Sequence, residues 1–271
     1  MFKLILAAAA AFGLLTASVE AQQLPPRAFE ECRDIAPFGF PESHLETGQR
    51  ICRTGYALLH DNWAKIPQWT VYTLTPEKAL GCAKRSDSFS ADQSLPRGER
   101  AELPDYARSG YDTGHMVNSA DMLWSVRAER ESFILSNMSP QLPALNRGSW
   151  KTLETGIRGW TLQTGDTYTI YSGNIYTRPA EKTIGRNQVV VPTALWKVVV
   201  SHNTQQAWAF LFPHQPGVGT DLAAFQTTVA EVESASGVKL PMPGDKTQRP
   251  ALLPIKSASE ARQAACSIPS R

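Results

Sequence analysis

This 271-residue chain contains no apolar stretch long enough for a permanent membrane span. The run from Leu4 to Leu15 falls short of the ~20 residues that a spanning helix needs, and no cysteine follows it for lipid attachment. No repeat or low-complexity tract interrupts the sequence, and 42% apolar with 19% charged residues is ordinary globular composition. Strong charge of one sign is also missing. A formal net charge of +2 and a pI near 8.3 neither demand nor forbid a polyanionic partner, so any phosphate recognition must be local. The C-x-x-C spacing of a zinc site does not occur. Neither does G-x-S-x-G, which leaves a serine-hydrolase reading without support.

The first residues, MFKLILAAAAAFGLLTASVEAQQ, have the form of a secretory signal peptide: Lys3, a short apolar run, then Val19-Glu20-Ala21, with cleavage expected after Ala21. The chain is therefore expected to be exported, to a periplasm or beyond the cell. Its four cysteines, Cys32, Cys52, Cys82 and Cys266, are an even number in an exported protein and read as two disulfides. Of the three possible pairings the preferred one joins Cys32 to Cys52 and Cys82 to Cys266, the second pinning the C-terminal tail to the body.

Residues 22–67 are rich in proline, with Pro25, Pro26, Pro37 and Pro41, and read as an irregular N-terminal extension without chemistry. Residues 68–271 follow as one domain with a C-terminal tail. Trp69 to Leu74 reads as the first core strand, and Glu131 to Ser136 as a short apolar strand. His115 is expected to end a strand or hairpin beginning near Ser109, with Met116 to Met122 leading away as loop. Pro140 and Pro143 forbid a helix until Asn146. A helix is then predicted from about Arg147 to Gln163, burying Leu153, Ile157 and Trp160 at i, i+4 and i+7. Glu154 and Arg158 share another of its faces, which by spacing alone could be an ordinary helix salt bridge. Short β-rich runs at Tyr168–Ser172, Val189–Val191, Trp196–Ser201 and Trp208–Phe212 predict a central antiparallel sheet. Asp221 to Ser234 predicts an amphipathic helix with Leu222, Phe225, Val229 and Val232 inward. After Leu240 only Cys266 need hold the tail. His44 and His60, single histidines in the N-terminal segment, read as surface or packing residues, and His202 and His214, at strand ends without a nearby acidic or cysteine partner, read as structural.

The stretch YDTGHMVNSADM, Tyr111 to Met122, sets His115 in a small polar segment beside Asp112 and Gly114. A downstream block, SNMSPQLPALNRGSWKTLETGIR, supplies Asn137, Asn146, Glu154 and Arg158. Together they offer a base, an amide oxygen, a carboxylate and a cation within a short span.

The order and spacing resemble the sugar-non-specific DNA/RNA endonucleases, whose core is the ββα-metal or His-Me finger. That family's pattern is Asp-Arg-Gly-His, then about thirty residues later Ser-Asn-x-x-Pro-Gln, an Asn, a Trp and a Leu-Glu pair on one helix. Here these correspond to Asp112/Gly114/His115, SNMSPQ, Asn146, Trp150 and Leu153-Glu154. The departure is Thr113, which stands where the family usually has arginine and removes one phosphate-facing cation. The resemblance runs from about Trp69 to about Leu240.

The resemblance implies an α+β fold: a central antiparallel sheet with flanking helices and the ββα-metal core. It also implies a metal-dependent nuclease that cleaves DNA and RNA without regard to sequence or sugar. His115 would be the general base, and Asn137 would orient it or its loop. Asn146 would hold hydrated Mg²⁺ (or Mn²⁺), with Glu154 reaching the ion through its waters. Arg158 and Arg85 would bind substrate phosphate, Arg85 in a segment that otherwise reads as a solvated surface loop. The alternatives are a phosphodiesterase for small diesters and, given Thr113, a catalytically weak nucleic-acid-binding protein.

Overall fold

Runs such as WTVYTL, YTIYSGNI and ALWKVVVS, dense in β-branched and aromatic side chains, are strands in a computed structural model that describes residues 23, 25–43, 48–255 and 258–267. In chain order the strands are β1 (Gly48–Cys52), β2 (Ala57–Asp61), β3 (Ile66–Leu74), β4 (Asp112–His115), β5 (Met138–Gln141), β6 (Tyr168–Ile175), β7 (Thr183–Ile184), β8 (Val189–Val190), β9 (Ala194–Ser201), β10 (Ala207–Pro213) and β11 (Gln226–Thr227). The helices are α1 (Pro76–Ala79), α2 (Leu103–Tyr106), α3 (Val126–Ser132), α4 (Pro143–Leu145), α5 (Lys151–Thr164), α6 (Val229–Ser236) and α7 (Ser259–Cys266). Seven strands form one sheet in the order β1-β2-β3-β6-β9-β10-β11, each antiparallel to the next. This is the α+β arrangement expected.

Alternation along the strands gives the sheet two different faces. On one, Trp69, Thr73 and Tyr171 meet the N-terminal segment: Phe40 stacks on Trp69, Thr73 donates to Ile35 O (2.7 Å) and Tyr171 donates to Gly39 O (3.1 Å). On the other, Phe212 and Trp208 receive Trp150 and Trp160 at ring separations of 5.6 and 5.9 Å. That face also carries the buried polar side chains of Tyr72, Ser172 and Lys197, directed at the chain between β3 and β6. There, β4 and β5 pair as a separate antiparallel ribbon and α5 follows, giving the ββα unit.

Several sequence expectations are corrected. Residues 48–61 are not irregular: β1 and β2 lie at the sheet's edge and bury Ile51, Leu58 and Leu59, since the prolines that suggested disorder stop at Pro41. Glu131–Ser136 is not a strand. Ser125 caps α3 by accepting from Ala128 N (3.3 Å), the helical residues VRAERES continue to Ser132, and the strand comes later as β5. A helical turn, α4, does precede Asn146, because proline is tolerated at the first helical position. The long helix starts at Lys151 rather than Arg147, as Gly148 (φ −101°, ψ −115°) breaks the preceding turn. Helix Asp221–Ser234 shrinks to α6, started by a Thr228–Glu231 capping box, with Leu222, Val229 and Val232 buried and Phe225 half-buried. The tail is held by more than Cys266: Trp208 and Trp160 donate to Ala251 O and Leu253 O, and Arg262 on α7 donates to Ala79 O and Ala120 O. The expected signal peptide and His44 lie outside the described residues. No described helix is long and apolar enough to cross a membrane.

Both disulfides, Cys32–Cys52 and Cys82–Cys266, form as expected. Thiol titration under mild denaturation is expected to find four thiols after reduction and none before. Peptide mapping that recovered Cys32 linked to Cys82 would contradict these pairings.

Candidate active site

The β4–β5 ladder pairs Asp112 with Gln141, Thr113 with Pro140, Gly114 with Ser139 and His115 with Met138. Gly114 leaves room for its neighbour across the ribbon: a Cβ on it would lie 2.3 Å from the Gln141 side-chain carbon, far inside contact distance, so a larger residue would force the buried Gln141 side chain to move. His115 thereby sits at the ribbon's end, its carbonyl accepting from the Trp150 indole (3.1 Å) at the start of α5.

The His115 ring packs edge-on against Phe133, at 4.7 Å between centroids, and beside Phe89, at 5.6 Å. Its Nε2 is enclosed without a hydrogen-bond partner among the described residues. Burial, and then the nearby Arg85 guanidinium, push the imidazole down to about 3, with Asp87 opposing. Both causes disfavour the cation, so the ring is neutral at neutral pH. Arg85 is exposed. It lies over the Phe133 ring at 4.8 Å, pairs with Asp87 (2.6 Å) and donates to Ser119. Its loop is pinned by Ser86 N donating to Glu129 (2.8 Å) and by the buried Arg53–Asp92 ion pair (2.7 Å).

Asn137 is buried directly behind this strand. Its amide donates to Val117 O (3.0 Å) and Ser132 O (2.8 Å), while its carbonyl accepts from Val117 N (2.9 Å). It clamps the loop leaving His115 rather than touching the ring.

Asn146, expected near the base, donates from its amide nitrogen to Asp112 Oδ2 (2.9 Å). Arg147 holds the same carboxylate at both oxygens (2.8 and 2.6 Å). Those hydrogen bonds keep the Asp112 carboxyl below the usual range against a burial effect that raises it. With its nitrogen committed, Asn146 presents its carbonyl oxygen outward from Asp112, and no described residue donates to that oxygen.

Glu154 is buried one turn into α5. Its Oε1 makes no hydrogen bond among the described residues and lies 4.0 Å from Lys197 Nζ. Burial, with Asp121, pushes this carboxyl up to about 7 against the opposing pull of Lys197 and Arg158. Arg158 donates to Asp121 Oδ1 (2.7 Å), and Tyr72 donates to Asp121 Oδ2 (2.6 Å). The expected Glu154–Arg158 proximity is real, but the arginine's hydrogen-bonded partner is Asp121.

Sequence reasoning therefore names His115, Asn137, Asn146, Glu154, Arg158 and Arg85, and the fold gathers them around one ribbon and one helix. It misses Asp112 as the residue orienting Asn146, along with Tyr72, Asp121 and Lys197. Lys197 did leave a signal: one lysine inside the apolar run LWKVVVS. His214 is structural as expected, accepting from Leu142 N (2.7 Å) and bonded to Pro192 O (2.7 Å). His60 and His202 are likewise bonded, to Glu99 O and Thr169.

The sequence profile of the DNA/RNA non-specific endonuclease family matches residues 34–244. The chain belongs to this family. Among its relatives are a mitochondrial nuclease EXOG of Danio rerio, 34% identical over 222 residues that cover 76% of this chain and 64% of that protein, and endonuclease G of Bos taurus, 30% identical over 76% of this chain and 72% of that one. A nuclease from Nostoc sp. is 31% identical over 73% of each. This endonuclease-family chain also superposes on a solved EndoG/EndoGI complex with a TM-score of 0.70 and 27% identity, covering 80% of this chain and 94% of the other.

Proposed function

We propose that this protein is an endonuclease that hydrolyses phosphodiester bonds in DNA and RNA with the help of a divalent cation, Mg²⁺ or Mn²⁺. The observation that carries this reading is His115: an imidazole kept neutral by burial and by Arg85, its Nε2 without a hydrogen-bond partner among the described residues. Hydrolysis needs a proton acceptor for the attacking water and positive charge where the phosphorus gathers negative charge. His115 takes the proton. Arg85 contacts a phosphate oxygen, and Arg158, anchored by Asp121, contributes the N–H groups that its pairing leaves over. Asn137 keeps the His115 loop in place.

The donor set fits a hard, hydrated cation. Among the described residues no group of three or more His, Cys, Asp or Glu comes together as a metal cage, which argues against zinc. One amide oxygen on Asn146 and one buried carboxylate on Glu154 suit Mg²⁺, which keeps most of its water. When bound, the cation stabilises charge on the leaving 3′ oxygen. None of these side chains reads a base edge, so cleavage is expected to be indifferent to sequence. Two disulfides agree with an oxidising compartment, and export by the N-terminal signal segment is part of this proposal.

The test is digestion of plasmid and of RNA by purified protein with Mg²⁺ and with EDTA. Cleavage of both polymers with Mg²⁺, and of neither with EDTA, is the expected result. Cleavage of a dinucleotide but of neither polymer would remove the endonuclease reading.

Thr113 sits two residues before His115 in β4 and so faces the same side of the strand. Thr113→Arg would add a cation on that side and is expected to raise the rate on DNA at low ionic strength, the gain shrinking as salt is added. If the folded variant is no faster, another cation already serves there. Lys182, whose Nζ lies 4.9 Å from the Tyr111 ring, is then the first residue to replace.

A further inference from the structure

Lys197 is fully buried in the middle of β9, where an ammonium group is tolerated only if paired and hydrogen-bonded. Its partners come from three separate parts of the chain. Nζ lies 3.2 Å from Ser172 Oγ on β6 and 3.4 Å from Met116 O, just past β4. It is also 4.0 Å from Glu154 Oε1 on α5 and 4.2 Å from the Trp150 ring centroid. Ser172 itself donates to Met116 O (3.2 Å). Asp121 and Arg158 also act on Glu154 and Lys197, and Tyr72 feels Glu154.

An ordinary buried counter-ion needs only some carboxylate. These partners are more particular: Met116 directly follows His115, Trp150 binds the His115 carbonyl, and Glu154 is the carboxylate proposed to act on the cation's waters. We propose that Lys197 is a positioning residue that fixes the base-bearing strand and the cation-side helix relative to each other. It does so by tying Met116 O to the sheet while supplying the charge beside Glu154. This inference rests on the nuclease reading. It adds a residue that touches neither substrate nor cation yet sets the geometry of the groups that do.

The test compares Lys197→Met, which keeps the stem and removes the charge, with Ser172→Ala, Glu154→Gln and the Lys197→Met/Glu154→Gln double variant. Four quantities are read: kcat and KM on a defined DNA duplex, the Mg²⁺-induced rise in Tm without substrate, and hydrogen exchange at the His115–Asn118 amides without metal. Circular dichroism establishes folding. For Lys197→Met the expected result is a kcat at least tenfold lower with KM within twofold, a smaller Mg²⁺-induced rise in Tm, and faster exchange confined to His115–Asn118. Ser172→Ala is expected to show the same pattern at a few-fold loss. The double variant should lose less than the product of the single losses, because the two side chains act as one unit.

A folded Lys197→Met with kcat within twofold and unchanged exchange would overturn the proposal, as would losses that multiply independently. If Lys197→Met does not fold, Ser172→Ala decides: wild-type kcat and exchange in that variant would overturn the proposal too. An inactive wild-type protein in the same assay would remove the nuclease reading and this inference with it. An active wild type with unaffected variants removes only the inference.

Discussion

Replacing His115 by alanine is expected to lower the cleavage rate by about 10² to 10⁴, the usual worth of a general base, while the protein stays folded. The ring contributes contacts with Phe89 and Phe133 but sits at the end of a short ribbon, outside the sheet's packing. Loss of less than tenfold in a folded variant would move the base elsewhere. The same residue carries a pH signature. Because the imidazole is lowered from 6.5 to about 3, its neutral form persists as pH falls through the ordinary histidine range and is lost only well below it. Arg85 supplies part of that lowering, so Arg85→Ala is expected to move the titration upward. NMR titration of the ring in metal-free protein checks both statements. A wild-type ring that titrates at its ordinary value, unmoved by Arg85→Ala, would contradict the environment described for it.

Asn146→Ala should have the other large effect, raising the Mg²⁺ concentration needed for half-maximal rate and lowering the rate at any fixed concentration. It removes the one direct protein ligand proposed. Asp112→Ala tests how that ligand is aimed: with Asp112 gone, nothing described holds the Asn146 amide nitrogen, and its carbonyl loses its fixed direction. Partners of a metal ligand typically affect metal affinity by about 10- to 100-fold, and Asp112→Ala is expected in that range, with Asn146→Ala at least as severe. Mg²⁺ titrations of rate or of Tm that superimpose on wild type would place the cation elsewhere.

The parts of this fold that were legible from sequence are those where a single period or a single residue type decides. Leu153, Ile157 and Trp160 announce the buried face of α5, and alternating β-formers announce β6, β9 and β10. The cysteine pairing was legible in outline because four cysteines leave few choices. Misreadings came where tertiary context overrides local pattern. The FIL of Glu131–Ser136 looks like a strand, but a Ser125 cap commits the preceding residues to helix, and the apolar residues then fill space under the Arg85 loop. Prolines before Pro41 hid the two strands that follow them. In the site, residues within a motif are legible and residues acting across the fold are not. Asp112 stands out in the sequence only as a neighbour of His115, since its partner Asn146 is distant along the chain. Tyr72, Asp121 and Lys197 come from a strand, a short 3-10 turn (Ser119–Asp121) and another strand, and no one-dimensional spacing connects them.

The strands β3 and β6 are neighbours in the sheet, yet everything between them in sequence, including His115, Asn137, Asn146 and Glu154, belongs to one excursion that leaves the sheet and returns to it. Such a segment can open as a cooperative unit of its own. Trp150 and Trp160 of the excursion pack on Phe212 and Trp208 of the sheet, so the two share one core, and heat tolerance measured as surviving activity depends on how firmly the excursion is moored. Among its moorings are Lys197 and Ser172 on the Met116 carbonyl, Tyr72 on Asp121, the Arg53–Asp92 ion pair, Tyr56 on the Glu131 carbonyl, Arg262 reaching in from α7 and the Cys82–Cys266 disulfide.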